Sequence, residues 1–232
     1  MHLLKCLTIL SFSTATLLAG CTKNDTPSSS DKPYHQSYNV EYWLTDSITY
    51  MTASFREYTA SGPTVRISND SVIKVNNLTY NYNYTGTLSQ GWRFDGVPDL
   101  NIELLKAGLP IRNTVSTSDV GDFDFDSIIA GTLSRGGSLT VSWTGDPLRD
   151  KEVVSISLKP IGLSVSTFPG ITKIMSGNTI TFYSNDLSLF KTEKLKIILS
   201  RKIVIPLIQL DGTASGEKIV EKQRYKEVFL TD

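Results

Sequence analysis

From residue 38 to the end of the chain, apolar and polar side chains alternate in short runs rather than recurring every three or four positions. Val40, Tyr42 and Leu44 interleave with Asn39, Glu41 and Trp43, and Thr49, Met51, Ala53 and Phe55 share one parity. A period of two puts successive side chains on opposite faces of a strand. Further runs cover 64–67, 72–75, 79–85, 92–94, 100–105 and 111–115, each ended by Gly, Asn, Asp or Pro. No run keeps a helical period over enough residues to compete. Short strands at this spacing predict an all-β sandwich.

The stretch "STSDVGD", residues 116–122, is polar and aperiodic, and it carries a glycine close to a turn. It marks a boundary, after which the alternation restarts. Residues 123–133 lead to "GGSLTVSWTG", where Leu139, Val141 and Trp143 alternate with Thr140 and Ser142. Runs at 153–158, 163–167, 179–183, 195–199, 203–207 and 219–230 follow, the closing part reading as two late strands and a longer final one. The expectation is two β-sandwiches in tandem, 38–118 and 123–232, each within the usual size of a domain. One undivided all-β domain of this length is the alternative. The second half resembles a bacterial immunoglobulin-like module, with Trp143 as its core tryptophan.

The N-terminal segment follows a different pattern. "MHLLKCLTILSFSTATLLAGC" has one lysine and then an apolar run ending at Leu18, shorter than the ~20 residues that cross a bilayer. It reads as a secretory signal. Its end, Leu18-Ala19-Gly20-Cys21, resembles the lipobox of bacterial lipoproteins, in which cleavage precedes the cysteine and the cysteine is acylated. Several acyl chains on Cys21 would anchor the protein stably, where one chain binds marginally. Residues 21–37, rich in serine, proline and charge, then form a tether that buries too little to fold. The whole resembles lipoproteins of Bacteroides-type bacteria that carry immunoglobulin-like modules behind a lipobox, and this implies membrane attachment through lipid on Cys21 and no catalytic motif. Thr22, where the inner-membrane retention signal would have Asp, favours the outer membrane. Three triplets, Asp46-Ser47-Ile48, Asp70-Ser71-Val72 and Asp126-Ser127-Ile128, resemble the O-glycosylation acceptor of exported proteins in such bacteria.

Cleavage before Cys21 would remove Cys6 and His2, leaving a lipid-capped cysteine and His35 as the sole histidine. A disulfide, a thiol nucleophile, a Ser-His-Asp triad and a zinc-type site are all disfavoured by that inventory. Lys plus Arg equals Asp plus Glu at 23 each, with no clustered basic block, so a nucleic-acid partner is set aside. No Walker-type loop is present and no cofactor or metal is expected. Carboxylate chemistry is what remains for an enzyme.

Three features bear on binding. Tyr80, Tyr82 and Tyr84 alternate with Asn81 and Asn83, a row that would serve a half-buried strand better than a sugar platform. Trp92, with Arg93 and Asp95 beside it, lies among the turn residues Gly91, Gly96 and Pro98 and is the best of the ligand-stacking candidates, although plugging the end of the first sandwich together with Phe94 is the favoured role for so large a ring. Asp122, Asp124 and Asp126 alternate with Phe123 and Phe125, but Ser127 and Leu133 stand where a calcium loop needs Gly and Glu. A solvated acidic face is therefore expected there. Trp43 has the parity opposite to Tyr42 and Leu44, so it belongs to another face or an edge. The function expected is non-catalytic binding or scaffolding in the cell envelope, toward a glycan or a partner protein. A carboxylate-dependent glycoside hydrolase is the alternative.

Overall fold

The alternation becomes strand pairing from Tyr34 onward. The structure, a computed structural model, describes residues 32–67, 71–80, 89–126, 128–162 and 170–232. Its strands are β1 (Tyr34–Trp43), β2 (Ile48–Glu57), β3 (Thr64–Val65), β4 (Ser71–Val75), β5 (Gln90–Asp95), β6 (Leu100–Lys106), β7 (Leu109–Val115), β8 (Phe123–Phe125), β9 (Thr132–Ser134), β10 (Leu139–Gly145), β11 (Val153–Pro160), β12 (Ile171–Ile174), β13 (Thr179–Phe182), β14 (Lys194–Pro206) and β15 (Gly216–Thr231). One helical turn, α1 (Ser184–Leu187), and a 3-10 turn at Thr117–Asp119 complete the described elements. The fold is all-β.

One large sheet runs β12-β11-β14-β15-β1-β2-β3, with β5 also on β2 and β9 on β15; two three-stranded sheets, β4-β6-β7 and β13-β10-β8, accompany it. Two hydrophobic cores result. Tyr38, Val40, Met51, Phe55 and Trp92 from the large sheet meet Ile73, Leu100, Ile102 and Val115 from β4-β6-β7. Ile156, Leu195, Ile197 and Val228 meet Phe123, Val141, Trp143 and Phe182 from β8, β10 and β13. In the second lobe β8, β10 and β13 form one layer and β11, β12, β14 and β15 the other, with β9 parallel to the end of β15. That partition of consecutive strands between two layers is immunoglobulin-like, and Trp143 lies in its core.

The lobes share strands. β15 pairs with β1 in parallel over 216–223 and with β14 antiparallel along most of its length. Ile203, Leu207 and Val220, from the late hairpin, lie in the first core. The two runs 195–199 and 203–207 are thus one strand, continuous through Ser200-Arg201-Lys202.

Between the cores lies a polar waist. Val120 closes the first core and Phe123 opens the second. The connecting segment crosses the inward cations of β15: Lys218 meets Asp119 at 2.6 Å, Lys222 pairs with Asp122, and Arg224 donates to the Phe123 carbonyl at 3.0 Å. Arg201, fully buried, donates from Nη1 to the carbonyls of Asp122 (3.0 Å) and Asp146 (2.8 Å) and from Nη2 to that of Pro147 (2.8 Å) and to Glu152. Glu152 in turn accepts from the backbone N–H groups of Gly121 and Arg149, both at 2.8 Å. Burial raises the pKa of Glu152, but the Arg201 guanidinium and these two amides outweigh it and hold the carboxyl below its ordinary value. A Cβ on Gly121 would stand 2.3 Å from Arg201 Nη2, so the residue must be glycine for the guanidinium to fit.

Two expectations are corrected here. The tether does not extend to residue 37, because Tyr34 packs on Phe55 (centroids 6.3 Å apart) and His35 is buried with Nδ1 2.8 Å from Ser215 Oγ. Trp92 is not a surface residue: it is 0% exposed and its Nε1 donates to the Leu78 carbonyl at 3.1 Å. Its parity is that of Met51, its register partner on β2, and both point into the first core. Tyr82, Tyr84 and the run 163–167 lie outside the described residues; Tyr80 is exposed and follows β4 without belonging to a strand.

Candidate functional site

The outward face of the large sheet carries what Trp92 cannot. On β1 the even positions Tyr34 to Tyr42 are buried inward, which turns Asn39, Glu41 and Trp43 outward. Parallel register places Glu41 beside Glu221 and Trp43 beside Gln223 on β15. Antiparallel register continues the first of these rows, Arg93 on β5 against Tyr50 on β2, Tyr50 against Glu41, and Glu221 against Lys202 on β14. In-register residues on neighbouring strands share a face and sit about 4.8 Å apart at the backbone. The row therefore reads cation, aromatic, acid, acid, cation.

Each acid is oriented by neighbours on the same face. Glu41 accepts from Asn39 Nδ2 and from Trp43 Nε1, both at 3.2 Å. Glu221 accepts from Ser200 Oγ and from Gln223 Nε2, the latter at 3.0 Å. Trp43 and Tyr225 stand edge to face, centroids 6.2 Å apart and planes at 64°. Lys196 Nζ lies 3.8 Å from the centroid of Tyr225, and the Tyr225 hydroxyl donates to Asp46 Oδ1 at 2.5 Å. That hydrogen bond, with burial second, pushes the Tyr225 hydroxyl up to about 12. A half-buried indole fixed by an acid, beside a phenol and two carboxylates, combines an apolar ring surface with acceptor oxygens, while Gln223, itself buried, serves to orient Glu221.

Arg93 and Asp95, separated from Trp92 by the pleat, do face this surface. They form an ion pair at 3.0 Å, and Arg93 also hydrogen-bonds to Tyr50. The sequence had brought Trp92, Arg93 and Asp95 into one candidate; the strand divides them between core and face. The acidic run is likewise committed, Asp122 to Lys222 and Asp124 within 3.8 Å of Arg224. Among the described residues no group of three or more His, Cys, Asp or Glu side chains converges as a metal site. Of the three acceptor-like triplets, Ser47 stands exposed in the β1–β2 turn, Ser71 is buried, and Ser127 lies outside the described residues.

Sequence reasoning missed Glu41, Glu221, Gln223 and Tyr225 as a group. The available signal was Trp43, whose parity opposed a clearly buried set. What no sequence pattern carries is the parallel pairing of β1 with β15, which joins residues 180 positions apart.

No family model matches the chain, and no curated protein matches it. Among solved structures the chain is similar to the FN1–FN3 domains of chicken CNTN1, at 12% identity and a TM-score of 0.23, over 82% of this chain and 66% of that one. The chain thus spans slightly less than two thirds of that structure's length. No described helix is long and apolar enough to cross a membrane.

Proposed function

We propose that the protein is a lipid-anchored, outer-membrane envelope protein, attached through Cys21, whose outward sheet face binds a glycan without cleaving it. The observation that carries the binding role is the Trp43–Glu41–Glu221–Gln223–Tyr225 arrangement on the free face of the large sheet. Apolar ring surface takes a sugar's C–H face, and the carboxylates accept from its hydroxyls. The paired acids would repel polyanions, so neutral or amino-containing sugars suit the site better than uronates or sulfated chains. The lipobox-like Leu18-Ala19-Gly20-Cys21 supports the anchor.

Two experiments test the parts separately. Metabolic labelling with a palmitate analogue should mark the native chain and not Cys21→Ala; an unlabelled native chain would remove the anchor. Affinity electrophoresis through gels of neutral polysaccharides should retard the native protein on at least one, and uniform mobility would remove the glycan.

A glycoside hydrolase is the second reading, and the Glu41–Glu221 register is what favours it. Retaining glycosidases hold two carboxyl groups about 5–5.5 Å apart, a separation within reach of side chains on neighbouring strands about 4.8 Å apart at the backbone. Reducing-sugar release that disappears in Glu221→Gln would establish it, whereas binding without release leaves the non-catalytic role.

A further inference from the structure

At the end of the first lobe where the described chain begins, large aliphatic side chains stand in solvent. Leu109 at the β6–β7 turn is 71% exposed; Ile208 and Leu210, in the loop after β14, are 82% and 42% exposed. With Pro33 and Ile111, Leu109 and Leu210 border a shallow hollow of about 370 Å³. Side chains this large, on β7 and on the loop after β14 that Asn113 of β7 hydrogen-bonds through Gln209, are not the scattered apolar residues of an ordinary surface.

The chain itself says what lies opposite. Eleven positions separate Lys32 from Cys21, a reach of at most about 40 Å when fully extended. Pro33 borders the same hollow as Leu109, and the Lys32 carbonyl accepts from Lys106 Nζ. The described chain therefore begins at the border of this hollow, beside Leu109 and Leu210. Charges beside it are already matched: Lys106 with Asp211 at 2.6 Å, Lys32 with Glu57 at 2.9 Å, and Arg112 with Glu103 at 2.8 Å. None of these acids is left uncompensated to oppose an anionic headgroup layer.

We propose that Leu109, Ile208 and Leu210 form a membrane-docking rim that inserts into the lipid surface to which Cys21 is anchored, holding the first lobe end-on to the bilayer. The proposal rests on the lipid anchor of the preceding section and not on the glycan. Anchoring raises the effective concentration of the rim at the bilayer, so a few aliphatic side chains suffice where they would bind poorly from solution. The glycan face lies along the side of the large sheet, clear of the docked end.

The mature acylated chain, cut before Cys21, has lost Cys6 and carries Cys21 capped by lipid, so single cysteines report without background. Leu109→Cys and Leu210→Cys, each labelled with an environment-sensitive fluorophore, are reconstituted in equimolar phosphatidylethanolamine–phosphatidylglycerol vesicles, with Ile174→Cys in the second lobe as reference. Docking predicts blue-shifted emission at 109 and 210 and several-fold stronger quenching by lipid-borne spin labels than at 174. Equal quenching at all three positions overturns it. Shielding of 109 from aqueous iodide without lipid quenching also overturns it, since a protein would then cover the rim. Vesicle flotation separates the two premises: a chain that does not float overturns the anchor and the proposal together, and a floating chain with an unquenched rim overturns the docking alone.

Discussion

Arg201 on β14 and Glu152 before β11 form an ion pair in which neither side chain reaches solvent. It sits where the two cores meet, with the guanidinium also holding three backbone carbonyls. Removing one member of a buried pair leaves the other charge uncompensated, at about 3–5 kcal/mol. Arg201→Met and Glu152→Gln should each lose that much in urea unfolding. The double variant Arg201→Met/Glu152→Leu should recover only part, because the carbonyls of Asp122, Asp146 and Pro147 still lose their donors. Full recovery would show that the carbonyl bonds contribute nothing.

Stability should fall on the acid side. Hydrogen bonding to Lys222 holds Asp122 below its ordinary 3.8, and bonding to Lys173 does the same for Asp186. Glu152 lies below its ordinary 4.5 as described. A carboxylate with a lower pKa folded than unfolded adds stability that is present above the unfolded value and lost as pH falls through the folded one. Unfolding free energy should be level from neutral pH to about 5 and drop below about 4. Glu152→Gln should show a shallower drop than the native chain in the same titration.

Two buried tyrosines of one strand should respond oppositely to loss of the hydroxyl. Tyr38 donates to Gln36 Oε1 at 2.7 Å, whereas the Tyr42 hydroxyl has no partner among the described residues. Burial pushes both phenols well above their ordinary value. Tyr38→Phe should cost about 1–2 kcal/mol, and Tyr42→Phe should be neutral or stabilising by up to about 1 kcal/mol. Thermal melts of the two variants side by side make the comparison.

Trp92→Ala should behave as a core deletion, costing about 3–5 kcal/mol while leaving any residual folded protein able to bind. Selective loss of binding at unchanged stability would contradict the burial of that ring.

The strands and their inward faces were legible because alternation is a local property. Val40, Tyr42, Met51 and Phe55 announce the first core, and Leu139, Val141 and Trp143 the second. Trp92 drew a ligand role because the neighbouring Gly91 and Gly96 read as turns; its favoured role as a core ring is the one it takes, in β5 opposite Met51. The runs 195–199 and 203–207 are one strand because the chain stays extended through Arg201, whose buried charge is matched by Glu152, 49 positions away. β12 was not anticipated, and its four residues are too few to display a period. The proposed binding face was hidden for a related reason. Glu41 and Glu221 become neighbours only through a parallel pairing across nearly the whole chain.

The proposed glycan role turns on Trp43. Retardation of the native protein should be measured across a panel of neutral polysaccharide gels, beside Trp43→Ala and beside Val204→Ala as a variant of an exposed residue on the same strand system. A glycan platform predicts at least a ~10-fold weaker apparent affinity for Trp43→Ala, about 1.4 kcal/mol, with Val204→Ala matching the native protein. Equal retardation of Trp43→Ala and native protein, or no retardation of native protein by any polysaccharide, would contradict it.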